Sequence, residues 1–96
     1  MDMSLVDYRI EGQNIDEKIV RLIGERIRLS EKIFGAKRAE GVDIEDPLQE
    51  MLVMTRALDL ATELNLDAGA VKEIFTILIN MSVNKQHELL GDDNLP

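Results

Sequence analysis

Arg26 and Lys37 stand where the pattern around them calls for apolar side chains. They belong to a series, Leu5, Tyr8, Gly12, Ile15, Ile19, Leu22, Arg26, Leu29, Ile33 and Lys37, whose members follow one another at spacings of three or four. That spacing marks one face of an α-helix. A cation in such a seam needs a reason, because burying a charge without a partner is costly. Two readings are open. The stems can lie along an interface while the heads reach solvent or pair with acids at the seam's edge, or both heads converge on a bound anion. Arg9 flanks the same seam near its other end, too far along the axis to meet Lys37 in its own chain. Alone it reads as a surface cation, and an antiparallel second copy is what would bring it to the same anion.

Two further polar pairs sit at helical spacing. Ser82 and Gln86 are four residues apart, in register with Phe75, Leu78 and Ile79. They either satisfy each other or a carbonyl inside a bundle, or offer neutral hydrogen-bond donors to a ligand between helices. Asp46 and Glu50 are also one turn apart. Helix capping accounts for Asp46, with Gln49 completing a capping-box-like Asp-x-x-Gln, while Glu50 is left for another task. Other chemistries find little support. The single histidine, His87, has neither a nucleophile nor metal-ligating neighbours at suitable spacing and reads as a surface residue. The scattered glycines form no phosphate-cradling loop, and neither a metal nor a cofactor is expected.

Three helices are needed to position these residues. No proline interrupts the first seam, which predicts a helix from about residue 4 to about residue 39, roughly 50 Å long. A compact monomer of this size spans only about 32 Å. The helix therefore overhangs one subunit, and a second copy crossing it at a two-fold axis is the simplest cover for its apolar seam. After the polar connection from Glu40 to Glu45, Asp46-Pro47 supplies an N-cap acid and a proline at the first helical position. The second helix is expected over about 47–64, with Leu48, Met51, Leu52, Thr55, Leu58, Ala61 and Thr62 as its apolar face. Asn65 stops it, Leu66 packs, and Asp67 caps a third helix over about 68–90. The inner side of that helix carries Val71, Ile74, Phe75, Leu78, Ile79, Ser82, Gln86, Leu89 and Leu90. No segment alternates with period two, so no sheet is expected.

Composition agrees with one small all-α domain over residues 1–96, with a core at about 4–90 and a polar tail at 91–96. The chain has 96 residues, no cysteine and only three aromatic side chains. Without disulfides or a large aromatic core, a domain this short gains buried surface by oligomerising. A net charge of -8 argues against nucleic acid or an anionic membrane as a partner, so any anion must be held locally. The first residues have no signal-peptide pattern and no run is long enough to cross a bilayer. A cytoplasmic location is expected.

Taken in order, Arg9, Ile15-Asp16-Glu17-Lys18, Glu25-Arg26, Gly35-Ala36-Lys37, Ile44-Glu45-Asp46-Pro47-Leu48-Gln49-Glu50, Leu66-Asp67 and Ile74-Phe75 through Ser82-Val83-Asn84-Lys85-Gln86 resemble the all-helical, or AroQ-class, chorismate mutases from about residue 5 to about residue 90. The resemblance implies an intertwined homodimer of three-helix chains with crossing first helices. It also implies that Arg26 and the partner subunit's Arg9 hold the two carboxylates of chorismate, with Ser82 assisting. Lys37 and Gln86 would face the ether oxygen, and Glu50 with the backbone near Asp46 would hold the ring hydroxyl. The implied reaction is the rearrangement of chorismate to prephenate in phenylalanine and tyrosine biosynthesis, without a cofactor, by a free-standing enzyme.

Two positions depart from that pattern. Gln49 replaces an arginine usual in the segment Asp-Pro-x-Arg-Glu, which removes a pocket cation. Gly12 stands in the seam where a larger apolar residue is common. Two other functions remain on the sequence alone: an isochorismate pyruvate lyase, disfavoured by the complete Ser82, Gln86 and Glu50 set, and a non-catalytic regulatory or docking dimer.

Overall fold

The computed structural model describes residues 2–91. The tail expected at 91–96 lies outside the described residues except for Gly91. The chain forms α1 (Leu5–Glu40), α2 (Pro47–Glu63) and α3 (Ala68–Leu90), and no strand occurs among the described residues. Each boundary has a local cause. Ser4 caps α1: the Asp7 N–H donates to Ser4 Oγ at 3.2 Å and the Ser4 N–H donates back to Asp7 Oδ2 at 3.0 Å, a reciprocal box that satisfies two otherwise orphaned donors. Gly41 ends the helix at φ 71°, a left-handed conformation that a Cβ disfavours. Its turn is closed by the Val42 N–H donating to the Lys37 carbonyl at 2.9 Å.

Asp46 caps α2 by accepting from the Gln49 N–H at 3.2 Å, with Pro47 following as expected. The expected box is half formed: Asp46 accepts from the Gln49 N–H, and Gln49 is among the residues that line the cavity described below. Asn65 stops α2 at φ 57°, and Asp67 Oδ1 accepts from the Gly69 and Ala70 N–H groups to start α3.

α3 packs against both α1 and α2, which do not pack on one another. On α1 the face toward α3 is Ile23, Arg26, Ile27, Ser30, Phe34 and Lys37, all buried or half-buried. The seam read from the sequence lies beside it and is open: Ile15, Ile19, Leu22 and Leu29 are each at least half exposed. Only two of its members, Arg26 and Lys37, belong to both faces.

The expected inner face of α2 is corrected. Leu58 and Ala61 turn inward as expected, but Leu48, Met51, Leu52, Thr55 and Thr62 are exposed, and Val53, Met54 and Ala57 turn inward in their place. This helix is apolar around much of its girth, so periodicity did not single out the stripe that α3 covers. Leu66, expected to pack, is likewise exposed in the single chain, as are Ile74, Leu89 and Leu90 of the expected inner side of α3.

One chain makes almost no core. Ile44 and Ala61 are its buried apolar residues among those described. The molecule extends 58 Å with a radius of gyration of 17.3 Å, against about 12–13 Å for a compact domain of this length.

Candidate active site

The three helices line a cavity of about 270 Å³ at the end of the molecule where α1, α3 and the start of α2 meet. α1 lines it with Arg26, Leu29, Ser30, Ile33 and Lys37, a single helical stripe. α3 adds Ile79, Ser82, Val83 and Gln86, and the connection with the first turns of α2 adds Ile44, Asp46, Gln49, Glu50 and Val53. Six of the seven residues expected to form a site therefore share one cavity: Arg26, Lys37, Asp46, Glu50, Ser82 and Gln86. Arg9 does not join them. It is exposed near the start of α1, about 26 Å along the helix axis from Arg26 at about 1.5 Å per residue.

The cations are aimed by acceptors within the chain. Arg26 Nη1 donates to Ser82 Oγ at 2.6 Å and to the Leu78 carbonyl at 3.0 Å. Those two bonds use one corner of the guanidinium, leaving Nη2 and Nε with three donors for a planar anion. Burial pushes the Arg26 pKa below its ordinary value, yet an arginine remains charged at any physiological pH. The Lys37 ammonium donates to the carbonyl of Ile44, which holds the head beside the cavity and leaves two donors.

Gln86 is buried and its Nε2 donates to the Ser82 carbonyl at 3.3 Å. The second Nε2 hydrogen is then available to a ligand. Its Oε1 is buried with no hydrogen-bond partner, a costly state for a polar atom outside a binding site. Asp46 and Glu50 balance the two cations formally, although the Asp46 carboxylate is engaged in capping α2. Apart from Ser30 and Gln49, the remaining wall is apolar. It lowers the local dielectric and strengthens every charge interaction inside.

Three contributors escaped the sequence reading. Ser30 is buried in the cavity wall and its hydroxyl donates to the Arg26 carbonyl at 2.9 Å. Its one signal was a position four residues beyond Arg26, next to the seam. Ile44 supplies a backbone acceptor for Lys37, hinted at by an isolated apolar residue in a polar connection. The third is His87. Read as a surface residue without a nucleophile or metal partner, it is half-buried beside the cavity lining and its Nε2 meets Glu45 Oε1.

Residues 8–87 match the family described as chorismate mutase type II. The chain belongs to that family. It is 35% identical over 85 residues to the chorismate mutase of Methanocaldococcus jannaschii, with 86% of each chain covered. It is also 34% identical over 87 residues to the bifunctional chorismate mutase/prephenate dehydratase of Buchnera aphidicola subsp. Acyrthosiphon pisum, which aligns 91% of this chain with 23% of that protein. The corresponding bifunctional protein of Buchnera aphidicola subsp. Schizaphis graminum is 30% identical over 95 residues, 95% of this chain and 25% of its own length. The chain thus spans about a quarter of the bifunctional relatives and most of the Methanocaldococcus jannaschii protein. The match takes in every cavity residue and Arg9. Among the described residues, no helix is long and apolar enough to cross a membrane.

Proposed function

We propose that this chain is a chorismate mutase, an isomerase that converts chorismate to prephenate, acting as an intertwined homodimer in the cytoplasm. The observation that carries the reading is the convergence of Arg26, Lys37 and Gln86 on one cavity in a member of this family.

The rearrangement breaks a C–O bond and forms a C–C bond within one molecule, so the protein supplies geometry and electrostatics. Chorismate must be held with its enolpyruvyl group folded over the ring. The three free donors of Arg26 suit one carboxylate, with the Ser82 hydroxyl beside it. Glu50 accepts from the ring hydroxyl, assisted by the backbone near Asp46. As the C–O bond lengthens, negative charge grows on the ether oxygen. Lys37 and the second Nε2 hydrogen of Gln86 are the donors that meet it, and such preorganised donors are worth most when water is excluded. Gln86 Oε1 gains its missing partner when a donor group of the ligand enters.

The second carboxylate needs another cation. Leu29 and Ile33 line the cavity yet are 54% and 41% exposed, so the cavity opens along the uncovered seam of α1. A second copy laid antiparallel on that seam closes the opening and presents the partner's Arg9 to the site. Exposure of this apolar stripe in the single chain supports the arrangement, since a surface of that kind is a burial site waiting for a partner.

The test is the loss of chorismate absorbance with purified protein, product identity checked as prephenate, beside Lys37→Ala. Turnover by the parent and a loss in kcat of about 10²–10³ in the variant are expected, the effect of removing one transition-state donor. A folded dimer that leaves chorismate unchanged would overturn the reading and direct the assay to isochorismate.

A further inference from the structure

The connection between α1 and α2 carries two parts of the cavity, the Ile44 carbonyl that holds Lys37 and the Asp46 cap that starts α2. Glu45 lies between them and points the other way, to His87. His87 directly follows Gln86 on α3. One side-chain contact, between residues 42 apart in sequence, therefore joins two chain segments whose neighbouring residues line the cavity. The connection is also held by burial of the Ile44 side chain, which is 9% exposed, by the Val42 N–H bond to the Lys37 carbonyl, and by the Lys37 ammonium itself. A catalytic lysine that is also the tether of its own support gains from a second tether outside the cavity.

We propose that the His87–Glu45 pair is a pH-dependent latch that holds the connection on α3 and keeps Lys37 aimed, which makes both positioning residues of the active site. The kinetic form of this inference rests on the mutase reading. Other charges near His87 are already committed. Lys85 on α3 pairs with Glu31 of α1 and with Glu88, each at 3.6 Å, and Lys37 is turned to the Ile44 carbonyl. Glu45 is a charged group in direct contact with the ring.

Imidazolium against carboxylate is a charged pair, while the neutral ring keeps at most an ordinary hydrogen bond. The latch is therefore tight below the titration of the ring and loosens as pH rises through it. Glu45 is well exposed, so solvent screening limits the effect to severalfold at most. The step that suffers is the one Lys37 serves, so the change falls on kcat more than on KM.

The experiment compares parent, Glu45→Gln, His87→Gln, the double variant and His87→Lys with chorismate from about pH 5.5 to about pH 8.5, a range that brackets the ordinary histidine midpoint near 6.5. The parent kcat is expected to fall about threefold more steeply across that range than that of Glu45→Gln. The double variant should be no slower than either single variant. His87→Lys, a cation throughout, should keep the low-pH rate at high pH. The single histidine also allows a clean NMR titration, in which Glu45→Gln lowers the ring midpoint. Parallel pH profiles in parent and Glu45→Gln, or additive losses in the double variant, would overturn the latch. If the parent leaves chorismate unchanged, the mutase reading fails and the latch is read from amide exchange of residues 42–46 at low pH. Faster exchange in Glu45→Gln supports it, and equal exchange overturns it.

Discussion

Ser82 Oγ accepts a hydrogen bond from Arg26 Nη1 at 2.6 Å, so the cation expected to grip a carboxylate is itself gripped by α3. With the Leu78 carbonyl as second acceptor, the guanidinium plane is fixed by two points on one helix. Fixing it in advance lowers the ordering cost of binding a planar anion. Ser82→Ala removes one point and is expected to lower kcat/KM about tenfold, the scale of one hydrogen bond to a charged group. Arg26→Lys keeps the charge but loses the fork, with an expected loss of about 10²-fold. The double variant should be little worse than Arg26→Lys alone, because the serine then has no fork to orient. Steady-state kinetics with unchanged helical circular dichroism decides the matter.

Much of this arrangement was legible in the sequence, for identifiable reasons. Helix ends were readable because Asp46-Pro47, Asn65 and Asp67 are local devices whose effect reaches only a turn. Arg26, Lys37, Ser82 and Gln86 were readable because each interrupts an apolar stripe. What was hidden is what periodicity does not encode. The Ile44 carbonyl that holds Lys37 is a backbone group, available at every residue. The stripe of α2 that faces α3 was ambiguous because Leu48, Met51 and Leu52 compete with Val53, Met54 and Ala57 for the inside. His87 found Glu45 through the tertiary fold alone. Arg9 remains apart in the single chain, as its position along α1 requires.

The capping box of α1 gives a stability prediction with a definite sign. Hydrogen bonds from the Ser4 backbone N–H and then from its hydroxyl hold the Asp7 carboxyl below its ordinary pKa. A depressed folded-state value means that the ionised form is the one the fold favours. Its stabilisation is complete above the unfolded value, near about 3.9, and is lost as pH falls through the lower folded value. Asp7→Asn should therefore melt at a lower temperature than the parent near neutral pH, with the gap closing in strong acid. A gap that stays constant down to the lowest pH would show that the carboxylate charge has no part in the cap.

The uncovered seam of α1 predicts where two copies meet. For the partner's Arg9 to reach the space between Arg26 and Lys37, two antiparallel first helices must cross near about residue 20, roughly midway between those positions. Ile19, 50% exposed in the single chain, lies at that point. Ile19→Asp would bury a carboxylate from each copy against the other with no cation opposite. The expected cost is on the order of 3–5 kcal/mol, the scale seen when a charge is left uncompensated in an interface. Analytical ultracentrifugation should show loss of the dimer, and chorismate turnover should vanish with it because each site then lacks Arg9. A variant that remains dimeric and active would place the crossing elsewhere along α1.

Gln49 offers the sharpest test of how charge is distributed in the cavity. Its side chain lines the wall between Asp46 and Glu50, and as a neutral amide it leaves Arg26 and Lys37 as the two cations that one chain contributes. In the proposed dimer, a dianion entering this site would depend heavily on the partner's Arg9 for its second carboxylate. Gln49→Arg restores the cation usual in this segment of the family, one turn from the N-cap, where the backbone N–H of residue 49 can keep its bond to Asp46. A guanidinium there adds a charged hydrogen bond to the bound dianion, and KM for chorismate is expected to fall about tenfold. If the new contact is equally strong in ground and transition states, kcat stays level and kcat/KM rises by the same factor. A rise in kcat as well would mean that residue 49 meets charge that develops during bond breaking. Unchanged KM would mean that Asp46 and Glu50 neutralise the added arginine before substrate reaches it, and that the acids, not the missing cation, set the affinity of this pocket.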